Sequence, residues 1–141
     1  MPERDESGGM VKKKKPLILV CEDEAGLRSA MGLALEGDYA LCFAADGEEA
    51  LAAYDRQPAD LVLLDIKMPK KDGLEVLQKL MTRTPAPRVV ILTAYQSAEL
   101  AQWATQSGAL DYVTKPFQRD TLVHAVERAL RRAPPPPAPC P

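Results

Sequence analysis

The sequence has a single histidine and three cysteines among its 141 residues, and this scarcity excludes most sites built on imidazole and sulfur. Cys21, Cys42 and Cys140 are widely separated, so no pair has the spacing of a zinc motif. Their odd number gives no disulfide framework, and Cys21 and Cys42 fall in predicted strands as small buried hydrophobes. We therefore expect no structural zinc, and a reducing, cytoplasmic location.

Long apolar runs and an excess of basic charge are also missing. No apolar stretch approaches the roughly 20 residues that cross a bilayer, and no apolar segment near the N-terminus resembles a secretory signal. A net charge of -2 offers no positive field for nucleic acid. The P-loop pattern G-x-x-x-x-G-K-[ST] does not occur. We expect neither a membrane nor a nucleic-acid partner for this chain.

Both ends have the composition of tails. Residues 1–15 are polar and close with a run of lysines, which predicts a disordered N-terminal segment. Residues 133–141 read APPPPAPCP, which favours extended polyproline, either as a tail or as a linker to a further domain. The predicted folded domain is 16–132, and an apolar content of 46% suffices for one core.

Between the tails, short apolar runs alternate with helical patterns. Strands are predicted over 17–21, 40–44, 61–64, 89–93 and 111–114, and helices over 25–36, 47–55, 73–82, 97–107 and 118–132. Five βα units in succession predict an α/β fold, a doubly wound parallel sheet with helices on both faces.

Polar side chains follow these predicted strands at their carboxyl ends. Glu22 and Asp23 come after the first strand, Asp65 after the third, Thr93 ends the fourth, and Lys115 follows the fifth. In a doubly wound sheet these ends meet at one edge, where ligands bind. A turn or a helix cap would explain a single aspartate. It does not explain carboxylates, a hydroxyl and an ammonium at consecutive strand ends.

The residue types in this cluster indicate a particular chemistry. Crowded carboxylates raise one another's pKa unless a cation intervenes, and oxygen ligands without sulfur or imidazole suit Mg²⁺. Lys115 adds a positive charge that can pair with an anion, and Thr93 adds a hydroxyl donor. Around a single carboxylate these groups form a site for phosphoryl oxygens. Asp65 is then a nucleophile that becomes an aspartyl phosphate.

Four motifs in the same order resemble those of bacterial response-regulator receiver domains: LILVCEDE, LVLLDIKMPKKDG, VVILTAY and GALDYVTKPF. The resemblance covers residues 15–132 and implies a flavodoxin-like (βα)5 fold with strand order 2-1-3-4-5. It also implies a cytoplasmic two-component phosphoprotein that accepts a phosphoryl group from a sensor histidine kinase or a small phosphodonor. Such a domain acts on a downstream protein or an attached output domain. It is not an enzyme beyond promoting its own phosphorylation and dephosphorylation.

The resemblance also assigns metal ligands. Asp65 is the phosphoacceptor and a magnesium ligand, Asp23 binds Mg²⁺ directly, and Glu22 binds it through water. The main-chain carbonyl of Lys67 is a further ligand. Glu22 stands where the family usually has aspartate, and its charge is preserved.

The remaining roles concern the phosphoryl group and its consequences. The resemblance makes Thr93 and Tyr112 a switch pair and Lys115 the phosphate-pairing lysine. Ala94 lies beside the phosphoryl group, and the bond from Lys115 to Pro116 is expected to be cis, a form that only X–Pro bonds adopt readily.

A partner surface is expected on the helix 97–107, the last strand and the last helix. Tyr95, Leu100 and Trp103 lie on or beside this helix, and aromatic residues are enriched at binding hot spots. The alternative for Trp103 is a ring that lies flat on its own helix. His124 is expected to be a partly exposed structural residue.

Two other functions fit parts of the pattern. A phosphatase or nucleotidase with an aspartyl nucleophile usually has a second acid-base aspartate two residues later, where this chain has Lys67. A binding-only pseudo-receiver would not need the complete set of acids, hydroxyl and lysine.

Overall fold

A computed structural model describes residues 2–4, 10–12, 15–66, 73–94 and 98–132 of the chain. Its first two strands, β1 (Pro2–Arg4) and β2 (Met10–Lys12), pair antiparallel in a sheet of their own. The sequence predicted no regular structure here, and the difference arises because main-chain pairing does not require apolar side chains. Two strands alone are at most marginally stable in water. The domain boundary at residue 16 therefore stays a prediction.

The main sheet contains the five strands that the sequence predicted, with small shifts at their ends. They are β3 (Leu17–Cys21), β4 (Ala40–Ala44), β5 (Leu61–Asp65), β6 (Arg88–Thr93) and β7 (Asp111–Thr114). The helices that follow them are α1 (Ala25–Leu35), α2 (Gly47–Arg56), α3 (Gly73–Leu80), α4 (Ala98–Gln106) and α5 (Arg119–Arg131). Within the described ranges, none of these helices has the length and apolarity needed to span a membrane.

All strand pairs in the main sheet are parallel, and their spatial order is β4-β3-β5-β6-β7. Counted along these five strands alone, the order is 2-1-3-4-5, so the predicted topology is confirmed. The direction of winding reverses between β3 and β5. A crevice is expected at the carboxyl ends of these two strands.

The central strand β5 is buried on both faces, which explains its uninterrupted apolar sequence. Val62 and Leu64 pack with residues of α2, α3 and α4, whereas Leu61 and Leu63 pack with residues of α1 and α5. Successive side chains of a strand point to opposite faces, so β5 contributes to both apolar layers. Only the ends of this strand can carry polar chemistry.

Gly73 begins α3 at a point where the helix passes very close to the end of β5. Its N–H donates a hydrogen bond to the carbonyl of Ile66 at 3.2 Å. A Cβ atom at this position would lie 2.2 Å from Ile66 Cα and 2.8 Å from the carbonyl oxygen of Asp65. Only glycine permits this approach. The start of α3 is therefore in direct contact with the backbone of Asp65 and Ile66.

We expect Gly73→Ala to lower the free energy of unfolding by about 1–3 kcal/mol, because the added methyl overlaps backbone atoms that cannot rotate away. Urea denaturation followed by circular dichroism measures this loss. Gly26→Ala is the matched control, since a Cβ on that helical glycine would meet nothing within 4 Å. The control should leave stability unchanged or raise it by up to about 1 kcal/mol. Equal effects of the two substitutions would contradict the close approach.

Candidate functional site

Three polar side chains are buried at the carboxyl edge of the sheet. Glu22 follows β3, Asp65 ends β5 and Thr93 ends β6, with exposures of 0%, 3% and 2%. Buried polar groups cost free energy unless they have hydrogen-bond partners. This edge therefore has to supply hydrogen-bond partners that the apolar layers do not need.

Lys115, directly after β7, reaches two of these groups. Its Nζ donates to Glu22 Oε1 at 2.7 Å and to Asp65 Oδ2 at 3.0 Å. The lysine side chain is 19% exposed, and the two carboxylates are almost fully buried. Hydrogen bonds between charged groups in such surroundings are strong. The ammonium therefore joins the ends of β3, β5 and β7 and offsets part of the repulsion between the carboxylates.

The surroundings of Glu22 shift its titration. Burial raises the pKa of Glu22 to about 7, the charge of Asp65 adds to this, and hydrogen bonds from Lys115 and from the Glu24 N–H oppose it. Burial acts to lower the pKa of Lys115, but its hydrogen bonds to Glu22 and Asp65 outweigh burial, so that pKa is raised. The lysine is therefore charged at neutral pH. The acidic cluster is not fully neutralised by it.

The carboxylates fit a magnesium ion. One oxygen each from Glu22, Asp23 and Asp65 lies within 4.8 Å of the others, with Asp23 exposed and the other two buried. Together with Lys115 they leave an excess of negative charge on hard oxygen donors, which are the ligands that Mg²⁺ prefers. The predicted ligand Lys67 lies outside the described residues.

Of the predicted switch pair, Thr93 lies at this edge, whereas Tyr112 pairs with Ile91, two residues before Thr93 on β6. The Lys115 N–H donates to the Thr93 carbonyl at 2.6 Å, which holds the ends of β6 and β7 together. Ala94 is exposed directly after Thr93, and the peptide bond between Lys115 and Pro116 is cis, as predicted. Tyr112 lies on β7 with 39% of its surface exposed.

The predicted partner surface is only partly described. Tyr95 lies outside the described residues, and so does the side chain of Leu100. Trp103 is partly buried and packs against the apolar layer on the α2, α3 and α4 side of the sheet. Part of the Trp103 side chain therefore packs in the core, and only the remainder is exposed to solvent. His124 is exposed on α5.

Sequence reasoning missed Arg28. This residue of α1 donates from one guanidinium nitrogen to the carbonyl oxygens of Glu22 and Asp23, at 2.7 and 2.9 Å. A sequence signal existed, because an arginine close to the start of a helix opposes the helix dipole, which favours acidic residues there. The two carbonyls explain an arginine at this position, because they accept hydrogen bonds from its guanidinium group.

Comparison with known proteins agrees with this geometry. Residues 18–127 match the family model described as the response regulator receiver domain. The chain is 36% identical over 117 residues to the transcriptional regulatory protein PdtaR of Mycobacterium tuberculosis, covering 82% of this chain and 57% of that protein. It is 37% identical over 118 residues to the DNA-binding transcriptional regulator NtrC of Salmonella typhimurium, covering 83% of this chain and 25% of that protein.

A solved structure is similar as well. The receiver domain of NtrX from Brucella abortus superposes with a TM-score of 0.76 at 35% identity, covering 82% of this chain and 99% of that one. The chain belongs to the response regulator receiver domain family, the flavodoxin-like signalling module of two-component systems. It spans 57% and 25% of the lengths of the two regulators to which it is similar.

Without Mg²⁺, we expect stability to fall as pH rises. The native pKa of Glu22, about 7, lies above its ordinary value of 4.5, so the native state retains a proton that the unfolded state releases. The contribution is fully present below about pH 4.5 and is lost as pH passes through about 7. A loss on the order of 3 kcal/mol is expected in EDTA, measured by urea denaturation along a pH series.

Glu22→Gln is the control for this pH series, because the amide cannot titrate. Its stability should lack the Glu22 contribution and change less with pH over the same window. A variant that loses stability as steeply as the wild type would show that another group is responsible.

Proposed function

We propose that this chain is a cytoplasmic, phosphorylation-dependent switch that accepts a phosphoryl group on Asp65 from a sensor histidine kinase or a small phosphodonor. The observation that carries the proposal is the ammonium of Lys115 between the buried carboxylates of Glu22 and Asp65. This arrangement sets a positive charge beside a nucleophilic oxygen at the open edge of the sheet. Membership of the receiver family supports it.

In the proposed transfer, an oxygen of Asp65 forms a bond to phosphorus while the bond from phosphorus to the kinase histidine breaks. The bonding electron pair stays on the histidine nitrogen. Lys115, already 3.0 Å from Asp65 Oδ2, would pair with one phosphoryl oxygen, and the hydroxyl of Thr93 would donate to another. Hydrolysis of the aspartyl phosphate would reset the domain, and no other reaction is proposed.

Glu22, Asp23, Asp65 and the main-chain carbonyl of Lys67 would hold Mg²⁺. When bound, the ion supplies positive charge between the carboxylates and the phosphoryl oxygens. The role of the chain is to place these oxygens together before the donor arrives. The buried Glu22 is already held by Lys115 and by the Glu24 N–H.

We expect the protein to gain one phosphoryl group when it is incubated with Mg²⁺ and acetyl phosphate, as measured by intact-protein mass spectrometry. Hydroxylamine should remove the group, because it cleaves acyl phosphates. Asp65→Asn should abolish labelling, and EDTA should do the same to the wild type. Asp55→Asn, which alters an exposed aspartate paired with Arg83, should label normally. Labelling of Asp65→Asn at the wild-type level would refute the assignment.

A binding partner would detect the phosphorylated state through the face formed by α4, β7 and α5. Movement of the Thr93 hydroxyl toward a phosphoryl oxygen would leave space into which the exposed ring of Tyr112 could turn. Ala94 and Pro116 would shape the two loops that border the group. This links a local charge to a change of packing on an outer surface. A downstream protein, or an output domain joined through residues 133–141, would bind there.

Trp103 offers a direct test of this coupling, because it is the only tryptophan in the chain. Beryllofluoride with Mg²⁺, a stable mimic of the phosphorylated state, should change its emission wavelength or its quenching by acrylamide. Asp65→Asn with the same additions should show no change. Identical spectra for the treated and untreated wild type would mean that Trp103 is a passive core residue. The proposed surface would then have to exclude it.

A further inference from the structure

Arg28 links the start of α1 to the turn that carries the acidic pair. The main-chain N–H of Arg28 donates to the carbonyl of Glu24 at 2.9 Å, so its backbone is part of the helical hydrogen-bond pattern. Its side chain then turns back toward the preceding loop. The same guanidinium nitrogen meets the carbonyl oxygens of Glu22 and Asp23. These contacts fix two consecutive peptide groups relative to the helix.

The direction of a peptide group determines where the neighbouring side chains point. Glu22 has further restraints, because its N–H donates to the Ala44 carbonyl at 3.0 Å and its carboxylate accepts from Lys115. Asp23 differs, since its side chain is exposed. The position of the Asp23 carboxylate therefore depends mainly on its own backbone. That backbone is where Arg28 acts.

Two effects of Arg28 on a cation oppose each other. Its positive charge lies close to the acidic pair and would weaken cation binding by repulsion. Its hydrogen bonds hold the turn in one conformation and would strengthen binding, since less order is then lost when the ion arrives. Groups that orient metal ligands typically contribute about 10- to 100-fold in affinity. The guanidinium donates to both carbonyls at 2.9 Å or less, which favours the second effect.

We propose that Arg28 is a positioning residue for the Mg²⁺ site, an inference that rests on the proposed function of Asp65. It contacts neither the ion nor the phosphoryl group. It holds the turn from Glu22 to Glu24 so that the Asp23 carboxylate stays within reach of Asp65. Without it the turn samples other conformations, and the three-carboxylate arrangement is present for a smaller fraction of the time.

The test is the Mg²⁺ affinity of the full chain, measured by isothermal titration calorimetry without any phosphodonor. Arg28→Met keeps an unbranched, helix-compatible side chain and removes the donors, and we expect it to weaken binding about 10-fold. Arg28→Lys keeps a donor of similar reach and should bind between Arg28→Met and the wild type. If Arg28→Met does not fold, Arg28→Lys carries the test alone. A folded variant of either kind that binds Mg²⁺ as tightly as the wild type overturns the proposal.

Arg83→Met is the matched control. Arg83 also donates to a main-chain carbonyl, that of Lys79 at 3.1 Å, and it pairs with Asp55 on the exposed surface. Its loss should lower thermal stability while leaving the Mg²⁺ dissociation constant unchanged. An equal loss of affinity in this control would show that the effect of Arg28 is only general destabilisation, and this also overturns the proposal. Failure of the wild type to bind Mg²⁺ would instead refute the proposed function.

Discussion

The ammonium of Lys115 lies between two buried carboxylates, and the carboxyl edge of the sheet is organised around this contact. Glu22 and Asp65 come from neighbouring strands and would repel each other in surroundings that water barely reaches. The lysine reaches them from the end of β7, two strands away from β5. Its two hydrogen bonds therefore link the carboxyl ends of β3, β5 and β7. A buried carboxylate that loses such a partner is strongly destabilising, so the fold and the site share this interaction.

The compensation is incomplete, and this is consistent with a signalling role. The pKa of Glu22 remains raised although Lys115 and the Glu24 N–H both stabilise its charged form. Three carboxylates with one ammonium leave a net negative charge that a divalent ion can neutralise. A site that was fully neutralised within the chain would gain less from binding a divalent ion. Proteins commonly tolerate such local cost where function requires it.

Backbone contacts decide how closely the elements around this edge approach. Gly73 allows α3 to touch the end of β5, and Arg28 ties the turn after β3 to α1. Neither residue has a side chain that reacts. Both act on the peptide groups next to Glu22, Asp23 and Asp65. The polar side chains at the edge are thus placed by backbone contacts that involve glycine and arginine as much as by the strands themselves.

The amino-acid sequence by itself determined the five βα units, their parallel pairing and the convergence of Glu22, Asp23, Asp65, Thr93 and Lys115 on one edge. These follow from periodicity and from the rule that parallel strands end together. Only the tertiary structure decided that Lys115 bridges Glu22 and Asp65, that Arg28 holds the turn after β3, and that Trp103 packs partly on the core. The reason is physical. Periodicity records which face of an element is apolar, whereas a hydrogen bond depends on distances and side-chain directions between segments that are far apart in the chain.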